Sequence, residues 1–223
     1  MIQALLFKEW IKTRRVVTLI GIIFVALIIY TLINTGQQFR LGGAVQIWST
    51  VILKDMPILP GFAQWIPLLT GLLLGISQFV PEMHDKRLKL TLHLPMLETK
   101  IMSVLLFFGV GILLFIFLLS YLVLSFSFSF YYPLEIIKAM IWSNLPYLLA
   151  GILGYLFAAW ISLEPVWRQR IGYTLASIGF LSFLFIRSVS GAYVPFMPYL
   201  VVLIILCFFF PFYSMYRFKD GAQ

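Results

Sequence analysis

Apolar residues dominate this chain in blocks too long for a soluble core, and the blocks are separated by short polar segments. No Asp, Glu, Lys, Arg or His falls in windows 16–39, 56–81, 101–134, 139–163, 171–186 and 188–216. A helix rising ~1.5 Å per residue needs about 20 apolar residues to cross ~30 Å of hydrocarbon. Five windows reach that length and the sixth nearly does. The pattern predicts an all-α integral membrane protein, a single transmembrane domain over 1–223, with crossings at about 16–33, 61–80, 101–124, 144–163, 171–189 and 197–216.

The polar positions between the blocks predict smaller elements. In residues 1–15, Ile2, Leu5, Leu6 and Trp10 recur at helical spacing, while Lys8, Lys12 and Arg15 form an opposing basic stripe beside Arg14. This reads as an interfacial helix with Trp10 at headgroup depth and its basic face on anionic lipid. Residues 34–60 hold three glycines and two prolines but stay apolar, and 44–53 is expected as a short helix along the outer surface. Residues 134–142 are expected to form a similar foot to the fourth crossing. Pro67 is expected to interrupt the second crossing. The glycines at 71, 75, 109, 111, 151, 154, 172 and 179 fit close helix packing, which small residues permit in lipid.

Composition and charge then narrow the reading. The chain is 62% hydrophobic and 11% charged, with net charge +8 and mean hydropathy +1.01, so a water-soluble fold is excluded. Cys207 is the single cysteine, which rules out an intrachain disulfide. With a cytosolic N-terminus, twelve basic residues fall in inner segments and four (Arg40, Lys54, Lys138 and Arg187) in outer ones. That is the positive-inside bias of a membrane protein and makes nucleic acid an unneeded partner. Both termini are then cytosolic, as six crossings require. The apolar run after Arg15 is longer than a signal-peptide core and lacks a small-residue cleavage site, so it is read as a retained helix. Arg187 is expected to snorkel to the outer headgroups.

The densest charged segment is Glu82–Lys100, which holds both histidines. Leu88, Leu90, Leu92 and Leu94 alternate with polar residues as in a strand, yet also form i,i+4 pairs. A lone strand would leave backbone groups unpaired, so a short helix ended by Pro95 is favoured. Glu82-Met83-His84-Asp85 has no recognised metal spacing, the crossings carry no acid, and no residue is singled out as catalytic. A phosphate-binding Gly-x-x-x-x-Gly-Lys-[Ser/Thr] loop is absent.

Phe79 and Glu82, followed by Leu90, Leu92, Leu94 and Pro95, resemble the Phe-x-x-Glu segment and leucine-rich stretch of type-2 ATP-binding-cassette exporter permeases, whose layout of an amphipathic N-terminal helix and six crossings this chain shares. Lys86-Arg87-Leu88 stands where that family usually has Gly-Thr. The resemblance implies a coupling helix over 82–96 that docks on a separate ATPase subunit through Glu82, His84, Asp85, Lys86, Arg87, Leu88, Leu90 and Leu92, braced by the helix carrying Lys8, Trp10, Lys12, Arg14 and Arg15. It also implies two ATPase partners holding ATP and Mg, a second permease copy or homologue, membrane lipids around it, room for an accessory periplasmic protein, and the bacterial inner membrane. No cofactor is implied on this chain, and no residue points to a substrate. The rival readings are a non-transporting membrane scaffold or assembly subunit and, more remotely, an intramembrane enzyme.

Overall fold

The computed structural model describes residues 2–53, 57–84, 87–92, 95–186 and 193–219, and these are mostly helical, with no strand among them. Among the described residues seven α-helices follow one another: α1 (Ile2–Leu53), α2 (Trp65–Met83), α3 (Arg87–Leu92), α4 (Glu98–Phe128), α5 (Leu134–Leu163), α6 (Trp167–Leu184) and α7 (Met197–Lys219). Short 3-10 turns, Gly61–Gln64 and Val194–Phe196, lead into α2 and α7. The chain is an all-α membrane protein. Among the described residues five helices are long and apolar enough to cross a bilayer: α1, α2 with its leading turn, α4, α5, and α7 with its leading turn. The fifth apolar window is helical as α6, whose 18 residues include Arg168 and Arg170; these two charges keep it below the apolar content of the other five.

Three boundaries differ from the sequence reading. Residues 2–15 and 16–33 form one uninterrupted helix, because nothing between Ile2 and Ile20 breaks it: no glycine or proline occurs there. Helical geometry fails only at Gly43 (φ 70°, ψ 158°), a left-handed conformation that glycine adopts without steric cost. The 44–53 arm beyond it is helical, as expected. Residues 134–142 likewise continue straight into the fourth crossing as α5. Pro67 does not interrupt α2. It sits in the first turn, where its missing N–H has no intrahelical acceptor to lose.

The core is a seam between α2 and α5. Gly71 abuts the Gly151 backbone, and Gly75 abuts Tyr155 and Ala158. A Cβ on Gly71 would overlap the Gly151 carbonyl, and one on Gly75 would lie 2.7 Å from the Ala158 Cβ. Both contact positions advance together along the two helices, so α2 and α5 run parallel, as the second and fourth of alternating crossings must. Close backbone approach of this kind supplies dispersion contacts where lipid offers no hydrophobic drive. Tyr155 anchors the seam to α4: its hydroxyl donates to Gln78 Oε1 (2.8 Å), and Gln78 Nε2 donates to the Leu105 carbonyl (2.9 Å). All the polar groups of this bridge are buried, so each needs the partner it has. Gly109 leaves the space that the Tyr155 phenol fills.

Candidate functional site: an ion cluster at one end of the bundle

One end of the bundle gathers most of the chemistry of the chain. On α1, Leu5, Glu9 and Thr13 recur every four residues and form the buried stripe that faces the bundle. The Thr13 hydroxyl donates to the Glu9 carbonyl (2.8 Å). Glu9 itself is 0% exposed and Glu82, one residue before the end of α2, is 3% exposed. Two carboxylates cannot be buried so close together without countercharge. Lys12 supplies it to both, with its Nζ 2.8 Å from Glu9 and 2.9 Å from Glu82 Oε1. Lys8 adds a second ammonium 3.0 Å from Glu82 and donates to Thr91 Oγ1 (2.9 Å). The Thr91 hydroxyl lies 3.3 Å from Glu82 Oε2. Three helices, α1, α2 and α3, therefore meet at one carboxylate.

The charge-free windows begin at Val16 on α1 and end at Pro81 on α2, so Glu9 and Glu82 lie beyond the spanning segments. Their environments push them apart. Burial raises the Glu9 carboxyl above its ordinary value, and the attraction of Lys12 offsets only part of this. Burial acts on Glu82 in the same sense, but Lys12 and Lys8 together outweigh it and hold that carboxyl below its ordinary value.

The short helix α3 has two faces. Leu88 (0% exposed) and Thr91, three residues apart, turn into the bundle, whereas Arg87 and Leu90, also three apart, turn outward, Leu90 at 71% exposure. Lys89 stacks over the Phe218 ring of α7, 5.4 Å from its centroid. Beyond α3, Leu97 is likewise exposed. The inward face is thus held by α1, α2 and α7, and the outward face presents an arginine beside a leucine.

A second tie lies between α5 and α7. Glu164 follows α5 directly and is fully buried. Its carboxylate is 3.0 Å from Arg217 and accepts a hydrogen bond from Ser214 Oγ (2.7 Å), while Arg170 donates to its backbone carbonyl (2.7 Å). Lys219 pairs with Glu98 at the start of α4 (2.6 Å). Every helix that reaches this end is held by at least one ionic or charge-assisted contact.

No protein-family model, curated protein or solved structure matches this chain.

The structure brings together Lys8, Lys12 and Glu82 from the residues singled out in the sequence, but in a different role. The Lys8 and Lys12 ammonium groups reach Glu82, and Lys12 also Glu9, while the Lys8 side chain stays exposed. Glu82 is buried and paired within the chain with Lys8 and Lys12. Trp10, Arg14 and Arg15 remain exposed on α1, which suits lipid headgroups. His84, Arg87 and Leu90 are exposed, Leu88 is internal, and Leu92 closes α3. Asp85 and Lys86 lie outside the described residues, as do Arg187, His93 and Leu94. Glu9, Thr91 and Glu164 carried no expectation. The period-four stripe Leu5-Glu9-Thr13, flanked by two lysines, was the available signal for the first of them. Among the described residues no group of three or more potential metal ligands forms.

Proposed function

We propose that this chain is the membrane-spanning permease subunit of an ATP-driven ATP-binding-cassette transporter, working as an exporter with α3 as its coupling helix. In this reading α6 is the fifth of six crossings, both termini are cytosolic, and the ion cluster lies at the cytosolic surface of a bacterial inner membrane. ATP and Mg bind on two separate ATPase subunits, and a second permease copy or homologue completes the transport path.

The observation that carries this reading is the two-faced α3. A six-residue helix standing free between two spans would be a poor docking element, because helices this short do not hold together in water. Here Leu88 is buried, Thr91 is bonded to Lys8, and Lys89 covers Phe218, so the helix is fixed on the bundle while Arg87 and Leu90 face away from it. Force applied to that outward face passes through Glu82 into α2 and through Lys8 and Lys12 into α1. Coupling a soluble motor to membrane helices requires this combination of an exposed contact and a stiff internal connection.

The test is co-purification of the tagged full-length chain from its native membrane. A nucleotide-binding subunit is expected to accompany it, and the charge reversal Arg87→Glu combined with Leu90→Asp is expected to weaken the association at least tenfold. A cognate ATPase that stays bound after the whole 82–95 segment is scrambled would refute the coupling role. A chain that retains no ATPase in any membrane extract would be a scaffold or assembly subunit instead.

A further inference from the structure

The opposite end of the bundle carries an apolar surface that the ion cluster and α3 leave unexplained. After Gly43, the 44–53 arm of α1 runs through Ala-Val-Gln-Ile-Trp-Ser-Thr-Val-Ile-Leu, and no charge lies between Arg40 and Lys54. Its Ile47 side is buried, with Val51 packed against the core. Its other side is not covered: Val45 (79% exposed), Trp48 and Ile52 recur at i, i+3 and i+7, with Leu53 beside them and Leu41 just before the break.

The geometry shows where this arm goes. Trp48 Nε1 donates to the Tyr131 carbonyl (3.0 Å) in the turn between α4 and α5. Phe39 packs on the rings of Tyr131 and Tyr132 at the same place (centroids 5.3 and 5.2 Å apart). A residue five beyond Gly43 and one four before it thus meet the same turn, so the chain bends at Gly43 and the arm lies against the α4–α5 turn. Farther along the chain, the Gly61–Gln64 turn leads into α2. There Phe62 meets Tyr30 of α1 (5.5 Å), and Tyr30, Ile33, Phe62 and Trp65 are all exposed on the lipid-facing surface of the spans.

We infer that the 44–53 arm is an interfacial helix whose Val45–Trp48–Ile52 face is seated in the lipid leaflet on the side of the membrane opposite the Glu9–Glu82 cluster. Its occupant is acyl chain and glycerol backbone rather than another protein. Trp48 supports this: an indole at headgroup depth buries its rings in the apolar boundary and satisfies its N–H at a polar edge, here the Tyr131 carbonyl. The free edge of the arm is uncharged, so the leaflet is recognised by apolar burial and not by headgroup charge. Through the Trp48–Tyr131 bond the α4–α5 turn is tethered to that leaflet. The inference needs only that the chain spans a membrane; it stands or falls independently of any ATPase.

The experiment uses the full-length chain in liposomes of neutral phospholipid, carrying Cys207→Ala and a single nitroxide-labelled cysteine at Val45, Gln46 or Ile52. Labels at 45 and 52 are expected to collide several-fold more with oxygen, which partitions into lipid, than with a water-soluble nickel chelate, with the ratio inverted at 46. Equal access of the nickel chelate at 45, 46 and 52 would overturn the inference in favour of a solvated arm. Exclusion of both reagents at 45 and 52 would overturn it in favour of protein cover by a second copy or another chain. If the labelled chains do not reconstitute, quenching by brominated lipid is compared between the unlabelled chain and Trp48→Phe. The variant is expected to lose quenched emission, and an unchanged quenched fraction would refute a lipid-seated Trp48.

Discussion

The Lys12 ammonium lies 2.8 Å from Glu9 on its own helix and 2.9 Å from Glu82 on the next, so one side chain neutralises two buried carboxylates and joins α1 to α2. Removing it should cost far more than an exposed ion pair would. Lys12→Met is expected to destabilise the protein by about 3 kcal/mol, the range for a buried pair that loses one partner. Lys12→Met combined with Glu9→Gln and Glu82→Gln should recover part of that loss. Thermal unfolding in mild detergent measures both, and a single variant as stable as the parent would show the cluster to be solvated.

The two carboxylates should respond oppositely to acid. Glu82 has a lowered value in the fold, so its contribution is present above the ordinary carboxylate range and is lost as the pH falls through its folded value. Glu9 has a raised value, so its ionised form costs stability at neutral pH and protonation relieves that cost first. On acidification from pH 7, Glu82→Gln should flatten the low-pH loss of stability, whereas Glu9→Gln should be tolerated at pH 7 and should remove the early gain. A stability–pH profile of each variant checks the sign.

The seam should be intolerant at single atoms. Gly71→Ala drives a methyl into the Gly151 carbonyl, which no side-chain rotation can relieve, and about 3 kcal/mol or more is expected, the upper end for overpacking. Gly111→Ala, on α4, meets nothing within 4 Å and should be neutral. Expression level and melting temperature of the pair separate packing from a general effect of losing glycine.

Tyr155→Phe keeps the ring and deletes one donor. It leaves Gln78 Oε1 without the Tyr155 hydroxyl in a dry interior, a loss of roughly 1–3 kcal/mol. Restoring stability by adding Gln78→Leu, which removes the stranded amide, would confirm that the bond and not the ring volume is responsible.

Membrane orientation has a direct readout. In intact cells, an impermeant thiol reagent is expected to label Gly42→Cys and to spare His84→Cys in a Cys207→Ala background. The reverse pattern would invert the topology and place α3 on the wrong side for an ATPase.

Five of the six expected spans were legible because their signal is coarse: about 20 apolar residues need no tertiary partner to declare themselves, and α4 and α7 lie close to the expected limits. The helical choice for α3 was legible too, from i,i+4 leucines and the cost of a lone strand. What the sequence concealed was direction. Lys8 and Lys12 look alike whether they face headgroups or buried acids, and only the approach of Glu82, 70 positions or more away, decides it. Pro67 read as a breaker because a proline declares its missing donor but not whether it stands in a first turn. The inward turn of Leu88 against the outward turn of Leu90 depends on where α3 rests on the bundle, which a six-residue pattern cannot encode.

Helix α1 runs without a break from Ile2 to the kink at Gly43, about 60 Å at ~1.5 Å per residue, or roughly twice the hydrocarbon thickness. Both membrane surfaces therefore share one rod with no joint between them. A tilt imposed where Lys12 grips Glu82 must reappear, with opposite sense about a pivot in the bilayer, where Phe39 presses on Tyr131. The protein has the makings of a first-order lever, and its fulcrum would be the lipid itself.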